Sequence, residues 1–335
     1  MTAGSTEPFR LHSVPALARV TVDRSEWLRQ DRDALREGWP TARVLVLDKR
    51  GRTPVLEDDG RLALRKAMDI APEPPEGAIF LGRSPEADYW AVLDVPEPEG
   101  QVVEVPGRFG VAVTHILADG ERWVGLREYG DDLDDTGAGL FTTALALRSW
   151  YRRAAHCARC GAATEIVHAG WASRCTGCGR EEYPRTDPAV ICLVHDDVGV
   201  NGERVLLARG AGWPAGARSV LAGFVEAGES LEACVVREIR EEVGITVRDV
   251  RYLGSQPWPF PRSIMLGFAA RADRDAPLKL AEGEIETARW FTRDEIRDAF
   301  ARADRPPKEG DAELRLPTNS SIARLMLESW AAAEP

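Results

Sequence analysis

No apolar run in this sequence approaches the roughly 20 residues that a membrane-spanning helix needs, so no membrane partner is expected. The stretch from Met1 to His12 has no basic segment leading into an apolar core. A secretion signal is therefore not expected, and a reducing, cytoplasmic setting is. Net positive charge is missing too: the formal charge is -11 at pH 7. This excludes nonspecific nucleic-acid binding by bulk charge but leaves a local basic groove open. Internal repeats and low-complexity tracts are absent. Cysteine is scarce, with 6 in 335 residues, and four of these form two Cys-x-x-Cys pairs. In a reducing compartment such pairs point to metal rather than to disulfides.

The length fits two compact units, or two plus a small module. A hydrophobic content of 44% is enough to bury real cores. Residues 1–150 are expected to form an α+β domain. Ala42 to Leu47, Ala78 to Leu81 and Tyr89 to Leu93 read as strands, and Ser25 to Trp39 as a helix capped by Ser25. Residues 70–77 and 95–100 read as Pro-rich loops. The acidic run Asp131 to Asp135 has no regular spacing and reads as a solvated loop before a helix over Leu140 to Arg153.

Residues 151–185 hold the cysteine pairs, Cys157 with Cys160 and Cys175 with Cys178. Gly161 and Gly179 directly follow the second cysteine of each pair, as a knuckle turn requires. Four soft thiolates in reach of one ion suit Zn²⁺. One pair would suffice for redox chemistry, so two pairs argue for a closed structural site. Neither His156 nor His168 is then needed as a ligand. Cys192 and Cys234 sit alone in apolar contexts and read as core.

Residues 186–335 alternate strand and helix. Strands are expected at Ala189 to Val194, Val205 to Ala208, Ser219 to Val225, Ile245 to Leu253, Ile264 to Ala272 and Ala288 to Phe291. Ser230 is placed to cap a helix ending at Val243, with Gly244 beyond it. Thr292 and Glu295 have capping-box spacing, and a last helix is expected around Ser321 to Ala333.

The helix after Ser230 carries Glu238, Glu241 and Glu242 at i, i+3 and i+4, on one face. Most acidic runs on helices are solvated faces. Here Leu231, Cys234, Val235, Ile239 and Val243 make the opposite face apolar, which fixes the helix and crowds the acids over a glycine-bearing loop. Hard oxygen ligands at that density suit Mg²⁺ or Mn²⁺, shared with substrate phosphates.

The segment from Gly223 through Glu226, Gly228, Glu229, Arg237, Glu238, Glu241 and Glu242 to Ile245 resembles the Nudix signature at every defined position. The resemblance implies an α/β/α sandwich and hydrolysis of a nucleoside diphosphate linked to another group. It further implies Glu238 and Glu242 as metal ligands, Glu241 as ligand or base, the Ala222 carbonyl as a further ligand, and a Glu229–Arg237 pair bracing the loop.

Downstream, Gln256-Pro257-Trp258-Pro259-Phe260-Pro261-Arg262-Ser263 packs three prolines around two aromatics. It reads as a rigid extended loop, either presenting rings to a ligand or forming a hydrophobic corner. The segment is similar to the hallmark of the NADH pyrophosphatase subfamily, which also removes NAD caps from RNA. Tyr183-Pro184-Arg185, the cysteine module and Ile322-Ala323-Arg324 extend the likeness, while the first 140 residues match loosely, around Arg127. The resemblance implies NADH or NAD as substrate, split into nicotinamide mononucleotide and AMP, and NAD-capped RNA as a further one. Gln256 through Ser263, Tyr183 and Ala323 would line the dinucleotide site, with Tyr183 reaching across a homodimer. Phe224 would stack on the nicotinamide, Arg127 would meet phosphate, and Glu284, or its near neighbour Glu286, would be the distal metal carboxylate.

Three alternatives stay open. One is a preference for ADP-ribose or dinucleoside polyphosphates. Another is decapping as the main task, aided by Arg152, Arg153, Arg159, Arg174, Arg180 and Arg185 in the cysteine module. The last is a zinc-ribbon regulator with a silent Nudix domain.

Overall fold

A computed structural model describes residues 7–107, 109, 111–302 and 313–335 of the chain. The leading half of the Met1 to His12 stretch lies outside the described residues.

The first helical stretch differs from expectation. Ser25 is left-handed (φ 44°) and caps nothing. A tight turn over Glu26–Gln30 is followed by α1 (Arg32–Gly38), capped by Asp31, which accepts from the Ala34 N–H at 3.0 Å. The Asp31 carboxylate offers the backbone a nearby acceptor, which starts a new helix there. Strands β1 (Arg43–Asp48), β2 (Arg52–Leu56) and β3 (Arg65–Lys66) precede α2 (Ala67–Ile70). Then come β4 (Ile79–Arg83), β5 (Asp88–Val95), β6 (Gln101–Pro106), β7 (Ala112–Ala118) and β8 (Glu121–Gly125). They form two four-stranded sheets, ordered β3-β1-β5-β4 and β2-β8-β7-β6. The second sheet was not visible in the sequence, because Pro54 interrupts β2 and β6 is largely exposed. Short α3 (Leu126–Tyr129) leads to α4 (Asp135–Tyr151), which starts earlier than expected because Asp134 caps it, accepting from Gly137 N–H at 2.6 Å.

Strands β9 (Thr164–Val167), β10 (Ala172–Cys175) and β11 (Glu181–Glu182) form the small cysteine-bearing sheet. The module is tied to the first domain through Trp171. Its indole N–H donates to the Phe80 carbonyl at 2.7 Å, and the Arg29 guanidinium lies 3.8 Å above its ring.

The C-terminal domain contains β12 (Asp187–His195), β13 (Arg204–Gly210), β14 (Leu221–Phe224), α5 (Leu231–Val243), β15 (Arg248–Trp258), β16 (Ser263–Arg271), β17 (Ile285–Thr292), α6 (Arg293–Ala301) and α7 (Ile322–Ala332). The sheet runs β15-β16-β12-β13-β17, with β14 paired to β12. One face packs on α6 and α7 through Ile296, Met326 and Trp330. The other packs on α5 through Cys234, Val235, Ile239 and Val243. This is an α/β/α sandwich. The proline-rich segment departs from expectation, since β15 continues through Pro257 and Trp258. Among the described residues the strand is an edge, bonded to β16 alone, so a residue without an N–H is tolerated. Among the described residues no helix is long and apolar enough to cross a membrane.

Candidate functional site

Helix α5 is built by local rules. The Ser230 hydroxyl accepts from Ala233 N–H at 3.2 Å, and Gly244 ends the helix in the left-handed conformation (φ 77°). With its apolar face buried, its carboxylates meet β14. Gly223 makes that approach possible, since a Cβ there would overlap the Glu238 carboxylate.

Arg237 organises the acids. It donates to Glu229 at 2.8 and 2.9 Å, to Glu238 and Glu241 at 2.9 Å each, and to the Phe224 carbonyl at 2.9 Å. Pairing with Arg237 holds the Glu229 carboxyl at about 2. Glu241 is the outermost acid, its side chain 58% exposed. Glu242 differs from the rest. One of its oxygens, Oε2, is buried with no hydrogen-bond partner among the protein groups. Burial first, then the charges of Glu238 and Glu284, push its carboxyl up to about 8. Burial also raises Glu238, against the pull of Arg237. A carboxylate with one buried, unbonded oxygen, set beside two further carboxylates, is what a cation site offers. This donor set of hard oxygens fits a divalent metal.

Glu242 and Glu284 line one cavity of about 280 Å³, together with Ala222, Arg127, Trp213, Trp258 and Ala323. Glu286 does not reach it. Its carboxylate is ion-paired with Arg209 and accepts from Gly212 N–H at 3.1 Å.

Of the residues singled out in the sequence, Trp258, Arg127 and Ala323 reach this cavity, while Phe224, Tyr183, Gln256, Arg262, Ser263 and Phe260 do not line it in the single chain. Phe224 is 60% exposed on β14, and Tyr183 is exposed with its hydroxyl donating to Glu181 at 2.9 Å. Gln256 is fully buried and donates to the Ser320 carbonyl at 2.6 Å. Arg262 pairs with Asp187 at 2.8 Å, and buried Ser263 begins β16. Trp258 and Phe260 meet edge to face at 4.9 Å and pack on the N-terminal core. Arg127 lies over both rings, at 5.4 and 4.4 Å. Pro259 and Pro261 flank Phe260 in the connection between β15 and β16. The sequence reading missed Trp213. Its signal was a Gly212-Trp213-Pro214 run, an aromatic presented on a stiff turn.

The four cysteine sulfurs lie within 4.8 Å of one another, with Cys157–Cys178 at 3.8 Å and Cys160–Cys175 at 3.3 Å. A tetrahedral ion about 2.3 Å from each sulfur sets them roughly 3.8 Å apart, so the cluster fits zinc. Backbone N–H groups of Arg159, Gly177 and Cys178 point at Cys157 and Cys175. His168 is engaged by Glu181 at 3.2 Å rather than by the sulfurs.

Three family models match the chain. They are the NADH pyrophosphatase-like rudimentary NUDIX domain over 41–150, the NADH pyrophosphatase zinc ribbon over 152–183 and the NUDIX domain over 185–310. The first segment, whose likeness in the sequence is loose, thus has a family description of its own. Across 335 residues, all of both chains, the sequence is 48% identical to the NAD-capped RNA hydrolase NudC of Mycobacterium bovis (strain BCG / Pasteur 1173P2). It is 36% identical over 249 residues to the NAD-capped RNA hydrolase NudC of Pseudomonas aeruginosa (strain LESB58), covering 73% of this chain and 75% of that one. Among solved structures, a NUDIX hydrolase from Nitrosomonas europaea matches at 22% identity and TM-score 0.36, over 48% of this chain and 96% of that one.

Proposed function

This chain belongs to the NAD-capped RNA hydrolase family of Nudix enzymes, and on that premise we propose that it splits the pyrophosphate of NADH, NAD and NAD-capped RNA. The products are nicotinamide mononucleotide (or its reduced form) and AMP, or RNA with a 5′ monophosphate. It is a hydrolase, and its ribbon is a zinc module. The observation that carries the site assignment is Glu242, whose Oε2 is buried and unbonded and which lines one cavity with Glu284 and Ala222.

Glu238, Glu242, Glu284 and the Ala222 carbonyl would hold Mg²⁺ or Mn²⁺, with Glu241 as a further ligand or as the base. When bound, the metal neutralises diphosphate charge and orients the attacking water. The chain's own groups do the rest. Arg237 keeps Glu229 and the helix acids in register, and the Arg127 guanidinium offers the diphosphate a fixed cation. Trp258 forms part of the cavity wall on the side of the N-terminal domain. The exposed rings of Phe224 and Tyr183 support a homodimer in which Tyr183 completes the Phe224 face of the other copy, with the nicotinamide between them. Gln256 through Ser263 frame the site by setting Trp258 and Phe260 against the N-terminal domain. A cytoplasmic location accords with the reduced cysteines of the ribbon.

Full-length similarity to NAD-capped RNA hydrolases does not favour an ADP-ribose specialist or a silent regulator. The deciding measurement is a side-by-side kcat/KM on NADH, NAD-capped RNA and ADP-ribose. One of the first two should lead. If ADP-ribose leads, the substrate assignment is wrong.

A further inference from the structure

We propose that Trp213 is the stacking surface for the adenine end of the dinucleotide, and that Phe109 of the N-terminal domain positions it. The inference rests on the NAD(H) reading above and on Phe224 taking the nicotinamide.

Trp213 shares the cavity with Glu242 and Glu284. Its loop is tied to the carboxylate side of the site at three points. Arg209 donates to the Trp213 carbonyl at 2.9 Å, Gly212 N–H donates to Glu286 at 3.1 Å, and Ala211 N–H donates to the Glu284 carbonyl at 2.8 Å. The indole lies close over Gly210, where a Cβ would come within 3.1 Å of it. From the other domain, the buried Phe109 ring sits 5.0 Å away at a 35° tilt. An aromatic held this way loses little freedom when a flat ring stacks on it.

NADH has two flat ends. Phe224 lies outside the cavity, so the enclosed wall is left for the other end. The cavity's outline agrees. Pro317 and Thr318 line it and also line a second groove of about 410 Å³, which runs past Phe109 between carboxylates (Glu128, Asp131, Asp132, Glu313) and arginines (Arg302, Arg315, Arg324). In capped RNA the polynucleotide leaves from the adenosine, so that end alone needs a way out. The N-terminal domain therefore helps to form the substrate site within one chain.

The test uses full-length Trp213→Ala, Trp213→Phe and Phe109→Ala on three substrates: NADH, ADP-ribose, and an NADH analogue whose adenine is replaced by hydrogen on the ribose. Trp213→Ala should lower kcat/KM for NADH and ADP-ribose together by roughly 5- to 150-fold, mainly through KM, and leave the base-free analogue within about twofold. Trp213→Phe should recover most of the loss. Phe109→Ala should move the same ratio of NADH to base-free analogue by a smaller factor. That ratio does not depend on how much of each variant is folded. Loss on NADH with ADP-ribose spared would put the nicotinamide here and overturn the assignment. An unchanged ratio would leave Trp213 a merely structural residue, and an unchanged ratio in Phe109→Ala alone would remove the positioning claim. Failure of the substrate reading shows separately, in the wild type, as ADP-ribose outrunning NADH.

Discussion

The Glu229 carboxylate accepts two hydrogen bonds from Arg237, one from Nε at 2.8 Å and one from Nη2 at 2.9 Å, across the turn that opens α5. The same guanidinium separates Glu238 from Glu241. Arg237→Ala should loosen the turn, set the acids against one another and lower kcat by more than about tenfold, at least ~1.4 kcal/mol of barrier. Arg237→Lys should not restore it, because an ammonium cannot make the two-pronged pair. The Glu229 carboxyl is held at about 2, below its unfolded value, chiefly by Arg237. Its contribution to stability is therefore full above the unfolded value, roughly 4.3, and is lost as pH falls toward 2. Melting curves from pH 6 down to 2.5 should show wild type and Arg237→Ala converging in Tm. A constant gap would remove the pair from the stability argument.

Glu242 gives the opposite sign. Burial, then Glu238 and Glu284, raise its carboxyl to about 8, above the unfolded value. Between those two values the folded chain binds the extra proton, so without metal its stability falls as pH rises from about 4.3 to 8. Added Mg²⁺ or Mn²⁺ should flatten this slope by taking the proton's place. Glu242→Gln should remain folded, lose the slope and lose nearly all activity. Turnover within about tenfold of wild type, near 1.4 kcal/mol, would remove Glu242 from the metal site.

Much of this site was legible because its rules are local. The Ser230 cap, the Gly244 terminator, the Thr292–Glu295 capping box and the paired cysteines each depend on a few neighbouring residues. Glu284 and Glu286 could not be separated by strand alternation. The distinction lies in the neighbouring strand, where Arg209 engages Glu286, while Glu284 stands just before β17 begins at Ile285. The Phe109–Trp213 contact joins two domains, and no spacing rule links residues so far apart in the chain. Trp258 and Phe260 read as a ligand face or a hydrophobic corner. Their packing on the N-terminal core makes the corner real, and Trp258 also borders the cavity.

Removal of zinc tests the ribbon. Cys175 is buried, and its sulfur accepts from two backbone N–H groups, so its place in the cluster is prepared. Cys175→Ser should cost one equivalent of zinc per chain and lower Tm, because a closed thiolate site contributes folding free energy directly. Trp171 and Tyr151 bind the ribbon to the first domain, so the destabilisation should spread to the N-terminal core. Elemental analysis of purified wild type showing no zinc would refute the site. A zinc-free variant with unchanged Tm would refute its structural role.

Phe224 tests the nicotinamide end. The ring is 60% exposed on β14, while its carbonyl is held by Arg237, so the side chain can be removed without disturbing a metal ligand. An aromatic that supported the fold would be buried, and this one is not. Base–aromatic stacking is worth about 1–3 kcal/mol per base on alanine substitution. Phe224→Ala should therefore lower kcat/KM for NADH by roughly 5- to 150-fold. ADP-ribose shares the diphosphate and adenosine but has no nicotinamide, so its kcat/KM should fall far less. The contrast with Trp213→Ala is the useful part. One variant should separate the two substrates and the other should lower both together, because the two rings grip opposite ends of one molecule. Equal losses on NADH and ADP-ribose in Phe224→Ala would mean that the exposed ring holds no nicotinamide.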